Sequence, residues 1–137
     1  MRIFLDTNIL LDVLGRREPH FASSSSIWSR VERGDHEGYV SAISFNNVFY
    51  IVRRLAGARA ARKAMKLMRD IFRIVPLDEQ LIHSAIDSDL ADLEDAVQYH
   101  SAARVSANCI VTRNVRHFPK DPVPAVTPEE FLATDSD

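Results

Sequence analysis

The sequence predicts an α/β protein built on a parallel sheet with helices on both faces, and three observations carry that expectation. Short, unbroken apolar runs such as Ile3-Phe4-Leu5 and Cys109-Ile110-Val111 have the character of strands buried on both sides. Longer segments between such runs place apolar residues three and four apart, the spacing of amphipathic helices. The two kinds of segment alternate along the chain, which implies parallel strands joined by right-handed crossovers.

The first strand runs straight into Asp6-Thr7-Asn8, residues suited to turns and helix N-caps, before a helix containing Ile9, Leu10, Val13 and Leu14. Asp6 therefore either caps that helix or stands at the carboxyl end of a strand, where open parallel sheets bind their ligands. Gly15 to Pro19 reads as a break, and His20 to Arg33 as a second helix closed by Gly34. Gly38 to Ala42 is a second strand. Ser44 can then cap a helix in which Phe45, Val48, Phe49, Val52 and Leu55 form a core-facing stripe, with Asn46 and Asn47 in its first turn.

Gly57 separates that helix from Ala58 to Phe72, whose apolar side carries Ala61, Ala64, Met65, Met68, Ile71 and Phe72. Its other side carries Arg59, Arg62, Lys63, Lys66, Arg69 and Arg73, either a solvated face or a set of phosphate contacts, with Arg59, Arg62, Lys63 and Lys66 the candidates for touching a nucleic-acid strand. Ile74-Val75-Pro76 ends a short strand, and Asp78 can cap a helix through Leu81, Ile82, Ala85 and Ile86. Asp92 can cap Leu93 to Ser106, with Asp95 at the third helical position. The strand Cys109 to Thr112 leads into Arg113-Asn114, Pro122 to Val126 suits an edge strand, and Thr127-Pro128-Glu129-Glu130 starts a final helix bearing Phe131 and Leu132.

At 137 residues, with no linker and no internal repeat, the chain is expected to form one domain, 1–137. No apolar stretch approaches the roughly 18 residues of a membrane span and no secretory signal pattern opens the chain, so a cytoplasmic protein with no membrane partner is expected. The single cysteine, Cys109, excludes a disulfide within one chain and reads as buried and inert. Net charge is only −2, but its distribution is uneven. Eight basic residues lie between Arg53 and Arg73 against Asp70 alone, while Pro76 to Ala103 holds seven acids and no Lys or Arg.

In this topology strand C-termini and helix N-termini share one rim of the sheet, which gathers Asp6, Asn47, Asp92, Asp95 and Asn114. Carboxylates so placed repel one another unless a cation or protons intervene, and Asp and Asn oxygens suit hard cations such as magnesium or manganese. A cation there could generate a nucleophilic water and neutralise a phosphodiester. Other chemistries lack their residues. There is no glycine-rich phosphate loop, no serine in a nucleophile elbow, no zinc spacing among the five histidines, and no second Asp two residues after Asp6 as an aspartyl-phosphate phosphatase would have.

The segments LDTNILLD, Ser41-Ala42-Ile43-Ser44 running into a helix, EDAVQYHSA around Asp95 and IVTRNVRHF from Ile110 to Phe118 resemble the PIN domains, in particular the VapC-type toxins of prokaryotic toxin–antitoxin systems. The resemblance implies a three-layer α/β/α sandwich, a ribonuclease using magnesium or manganese, a homodimer, and inhibition by a cognate antitoxin. It places Asp6 and Asp95 as metal-binding carboxylates and Asn47 and Asn114 at catalytic positions, with Asn8 and Thr112 as supporting polar residues. Many members have acids where this chain has Asn47 and Asn114; Asp92 or Glu94 is available to compensate. The alternative is a PIN-fold module with weakened catalysis that binds RNA or a protein.

Overall fold

A computed structural model describes residues 1–135. The elements in chain order are β1 (Arg2–Leu5), α1 (Thr7–Leu14), α2 (Phe21–Glu32), β2 (Glu37–Ser41), α3 (Ala42–Ala56), α4 (Ala58–Ile71), β3 (Arg73–Val75), α5 (Glu79–Asp87), α6 (Leu93–Arg104), β4 (Cys109–Val111), β5 (Ala125–Val126) and α7 (Pro128–Thr134). A short 3-10 turn, Val115–His117, follows β4. The five strands lie in the order β3-β2-β1-β4-β5, and every neighbouring pair is parallel.

The strand β1 sits at the centre because both of its faces are apolar. Ile3 and Leu5 point to one side, where they join Leu10 of α1, Ile27 and Trp28 of α2, Val48 of α3, Met68 of α4 and Phe131 of α7. Phe4 points to the other, against Tyr99 and Ala102 of α6. The helix α5 packs on α6 through Leu81, Ala85, Ala96 and Val97. The result is the three-layer α/β/α sandwich with a central parallel sheet, as expected.

Helix starts follow the capping residues closely. Asp78 accepts from the Leu81 N–H at 3.0 Å, Asp92 from the Asp95 N–H at 3.0 Å, and Thr127 with Glu130 forms a complete capping box. The expected cap at Ser44 is corrected. Ser41, still extended as the last residue of β2, accepts from the Ile43 N–H at 3.2 Å, so α3 begins at once and Ser44 is buried inside its first turn. Leu55 is also corrected: it is 73% exposed, because the last turn of α3 runs beyond the layer that covers its stripe. Other boundaries shift by one or two residues, as frayed ends do.

Gly38 of β2 is required by close packing rather than by backbone conformation. A Cβ there would lie 2.7 Å from Val31 Cγ1 and 2.9 Å from Phe72 Cδ1, so α2 and the end of α4 can press on β2 only because the side chain is missing. Gly38→Ala is expected to lower stability by about 1–3 kcal/mol through overpacking, measured by chemical denaturation. Adding Val31→Ala should recover part of that loss.

Candidate active site

The N-termini of α1, α3 and α6 converge beside the end of β1. Asp6 leaves β1 with its N–H donating to Val111 O at 3.0 Å, which fixes it against the end of β4. Its carboxylate makes no capping bond to α1 although it occupies the cap position. It accepts instead from the Thr112 hydroxyl at 2.7 Å, and it is only 3% exposed. Asp6 thus makes no cap to α1, and its buried carboxylate lines the cleft.

That cleft has a volume of about 370 Å³, and Asp6, Asn8, Asn47, Tyr50, Glu94 and Asp95 line it together with Thr7 and Gln98. Thr7 joins the walls. Its N–H donates to Gln98 Oε1 at 3.1 Å, and its hydroxyl lies 2.8 Å from Ser44 Oγ and 3.0 Å from Glu94 Oε2. Asn47 Nδ2 donates to the same Glu94 oxygen at 2.7 Å. Asp95, at the third position of α6, has its carboxyl pushed up to about 6 by burial and by the charges of Asp92, Asp6 and Glu94, with His117 at 3.3 Å opposing the shift.

Among the positions singled out in the sequence, Asp6, Asn8, Asn47 and Asp95 meet in the cleft. Thr112 stands behind Asp6, and the Asn114 N–H donates to Thr112 Oγ1 at 2.9 Å, one step further back. Asp92 is exposed, its carboxylate engaged as the cap of α6, and it faces an adjoining hollow shared with Asp95, Arg116 and His117. Arg59, Arg62, Lys63 and Lys66 lie exposed on α4, opposite buried Ala61, Ala64 and Met68, and none of them lines the cleft.

Sequence reasoning missed Thr7, Ser44, Gln98 and Tyr50. Gln98 carried a signal, a polar residue amid the small apolar residues of α6, and it is 1% exposed. Asp12, set aside at the sequence level, is fully buried and bound to Arg113 Nε at 2.6 Å, which anchors the segment after β4 to α1. Cys109 is buried and its thiol is raised to about 11, consistent with an inert residue.

The donor set is oxygen throughout, and the repulsion from neighbouring carboxylates that adds to burial in raising Asp95 is what a hard divalent cation would relieve, so the residues present fit such an ion. They fit a hydrated one. Among the described residues no three His, Cys, Asp or Glu side chains stand close enough to hold an ion by themselves.

A parallel α/β/α sandwich with an acidic, oxygen-lined cleft at the carboxyl rim of its sheet defines the class of protein. A family model described as PIN domain matches residues 2–116, and the chain belongs to the PIN domain family. It is 23% identical over 135 residues to Ribonuclease VapC1 of Aquifex aeolicus (strain VF5), covering 95% of this chain and 92% of that one. In fold it is similar to VapBC2 from Rickettsia felis, solved bound to a DNA fragment from their promoter, with a TM-score of 0.73 at 13% identity, covering 93% of this chain and 98% of that one. It is likewise similar to VapC20 of Mycobacterium tuberculosis, a sarcin-ricin loop cleaving toxin, with a TM-score of 0.66 at 15% identity and coverage of 87% and 91%.

Because the Asp95 carboxyl is raised in the folded state, its ionisation works against the fold. The stability it contributes is present below the unfolded value near 4 and is lost as pH rises through about 6. Asp95→Asn should therefore raise the stability of cation-free protein at pH 7, by on the order of 2 kcal/mol, and change it little at pH 4. Paired thermal melts at the two pH values check this.

Proposed function

We propose that the protein is a divalent-metal-dependent endoribonuclease, the toxin of a toxin–antitoxin pair. The observation that supports this most is the carboxylate of Asp6, buried at the end of β1, free of its cap, and facing Glu94 and Asp95 across one cleft. Asp6 and Asp95 would hold magnesium or manganese, with Asn47 and Asn114 at the remaining catalytic positions. When bound, the cation supplies activation of a water and neutralisation of phosphate charge. Thr112 orients Asp6 by donating to Oδ2, and the Asn114 N–H in turn fixes Thr112 Oγ1.

Tyr50, 58% exposed at the cleft wall, offers a face on which a single-stranded base can stack. Arg116, exposed beside Asp95 and His117, offers a phosphate contact next to the reacting centre, and the basic face of α4 would act on RNA farther from the cleft. An antitoxin partner is supported by the similar structures solved as toxin–antitoxin complexes, including one from Klebsiella pneumoniae. Exposed Leu55, Ile86 and Leu93 give apolar surface for that partner or for a homodimer. No helix among the described residues is long and apolar enough to cross a membrane. We assign the whole chain, 1–137, to one working unit in the cytoplasm.

Purified protein supplied with manganese is expected to cleave RNA, and chelation should stop it. Asp6→Asn preserves an acceptor for Thr112 and should reduce cleavage to background with an unchanged melting temperature. Metal-dependent cleavage retained by that variant would refute the reading, and metal binding without cleavage by the wild type would favour the weakened binding module. Tyr50→Ala and Arg116→Ala should raise KM for RNA several-fold with little change in kcat, and Arg116→Ala should also lower the dependence of binding on salt.

A further inference from the structure

The cleft does not end at Asp95. A trough of about 380 Å³ leads from Asp95 past Arg116 and His117, and it opens into an outer hollow of about 500 Å³ between the loop before α6 and the 3-10 turn after β4. The two share Asp89, Leu90, Arg116 and His117, so the concave surface is continuous from the acidic centre outward. We propose that the outer hollow receives one unpaired base of an RNA strand, from the nucleotide next to the phosphate held in the cleft, and that Asp89 makes guanine the preferred base. This rests on the reading of the cleft as a ribonuclease centre.

The lining suits a base. Leu90 is half-buried and packs with Tyr99 and Phe118, both buried, which gives the hollow an apolar floor. The Tyr99 hydroxyl donates to Asp121 O at 2.5 Å, so this residue brings a ring and no spare donor. His100 stands edge-on to it, with ring centroids 5.7 Å apart, and is half-buried at the wall. Unpaired bases stack on such aromatic and imidazole rings when they leave the strand.

The charges at the mouth give the base its identity. Elsewhere on this chain Arg104 grips Asp78 and Arg113 grips Asp12. Asp89 and Arg116 are exposed at the same hollow, yet neither makes a hydrogen bond or ion pair among the described residues. Arg116 suits the linking phosphate. Asp89 and Asp92 repel a phosphate, so the backbone is steered along the Arg116 side and the base edge is left to Asp89. A carboxylate only accepts hydrogen bonds. Guanine sets a ring N–H beside an amino group, two donors for two oxygens, whereas uracil sets its one N–H between carbonyls that a carboxylate repels.

Sheet order gives the strand its path. Tyr50 lies on α3, which follows β2, and the hollow borders the turn that follows β4; β2 and β4 flank β1, whose end carries Asp6. The two base positions therefore lie on opposite sides of the acidic centre. Tyr50 offers an open face that any base can use, and the walled hollow is the position that selects.

Fluorescence anisotropy with labelled hexauridylate, and with the same hexamer carrying one central guanine, tests this in chelator so that nothing is cut. The guanine hexamer should bind about ten-fold more tightly. Asp89→Ala, at an exposed and unpaired position, should melt like the wild type and abolish that preference, and His100→Ala should weaken the guanine hexamer several-fold. With manganese restored, cleavage should fall beside guanine in the wild type and lose that placement in Asp89→Ala. Equal binding of the two hexamers, or a preference that Asp89→Ala retains, overturns the base site; manganese-dependent cleavage without regard to guanine would then leave the ribonuclease reading standing. Guanine-selective binding with no cleavage keeps the base site and overturns instead the reading on which its place beside a scissile phosphate rests.

Discussion

One buried threonine sets the geometry on which the cleft depends. Thr7 follows Asp6 directly, and through its N–H and hydroxyl it touches Gln98 and Glu94 on α6 and Ser44 on α3. Three helices that reach the sheet by separate crossovers are thereby locked at one level and one rotation. Each bond alone is worth about 1 kcal/mol, but those to Gln98 and Ser44 are buried, so losing the hub would leave buried polar groups unsatisfied. A rotation of α6 about its axis would move Glu94 and Asp95 away from Asp6. Thr7 forbids it.

The chain treats its two buried aspartates at this end in opposite ways. Asp12 is fully buried and is neutralised by Arg113 at 2.6 Å, with Arg17 at 3.7 Å. Asp6 is almost as deep, yet its partner is the neutral Thr112 hydroxyl. The difference lies in which groups face each carboxylate. A structural acid has its countercharge built in; the acids of the cleft face one another, and burial together with that repulsion raises the Asp95 carboxyl. Arg113 serves both arrangements, since by gripping Asp12 it also holds the segment on which Thr112 and Asn114 sit.

The fold was legible because local rules agreed with the global one. Strands β1 and β4 announced themselves as apolar runs, and Asp78, Asp92 and Thr127 marked helix starts that the structure keeps. Ser44 misled because Ser41, an equally good cap, stood three residues earlier at the true end of β2. Leu55 misled because periodicity tells where a helix face points and not how far its cover extends. In the cleft, Asp6 and Asp95 could be read from the sequence, whereas the pairing of Asn47 with Glu94 could not. It depends on the relative height of α3 and α6, which residues near Thr7 set in three dimensions.

The pairing of Asp6 with Thr112 has a consequence for biosynthesis. During translation the first carboxylate of the cleft emerges early, but the strand that flanks it and the hydroxyl that orients it come more than a hundred residues later. A ribosome-bound chain can form α1 and α2, and pair β1 with β2, long before β4 exists to complete the rim. The acidic rim is therefore complete only once β4 and Thr112 have joined the sheet beside Asp6.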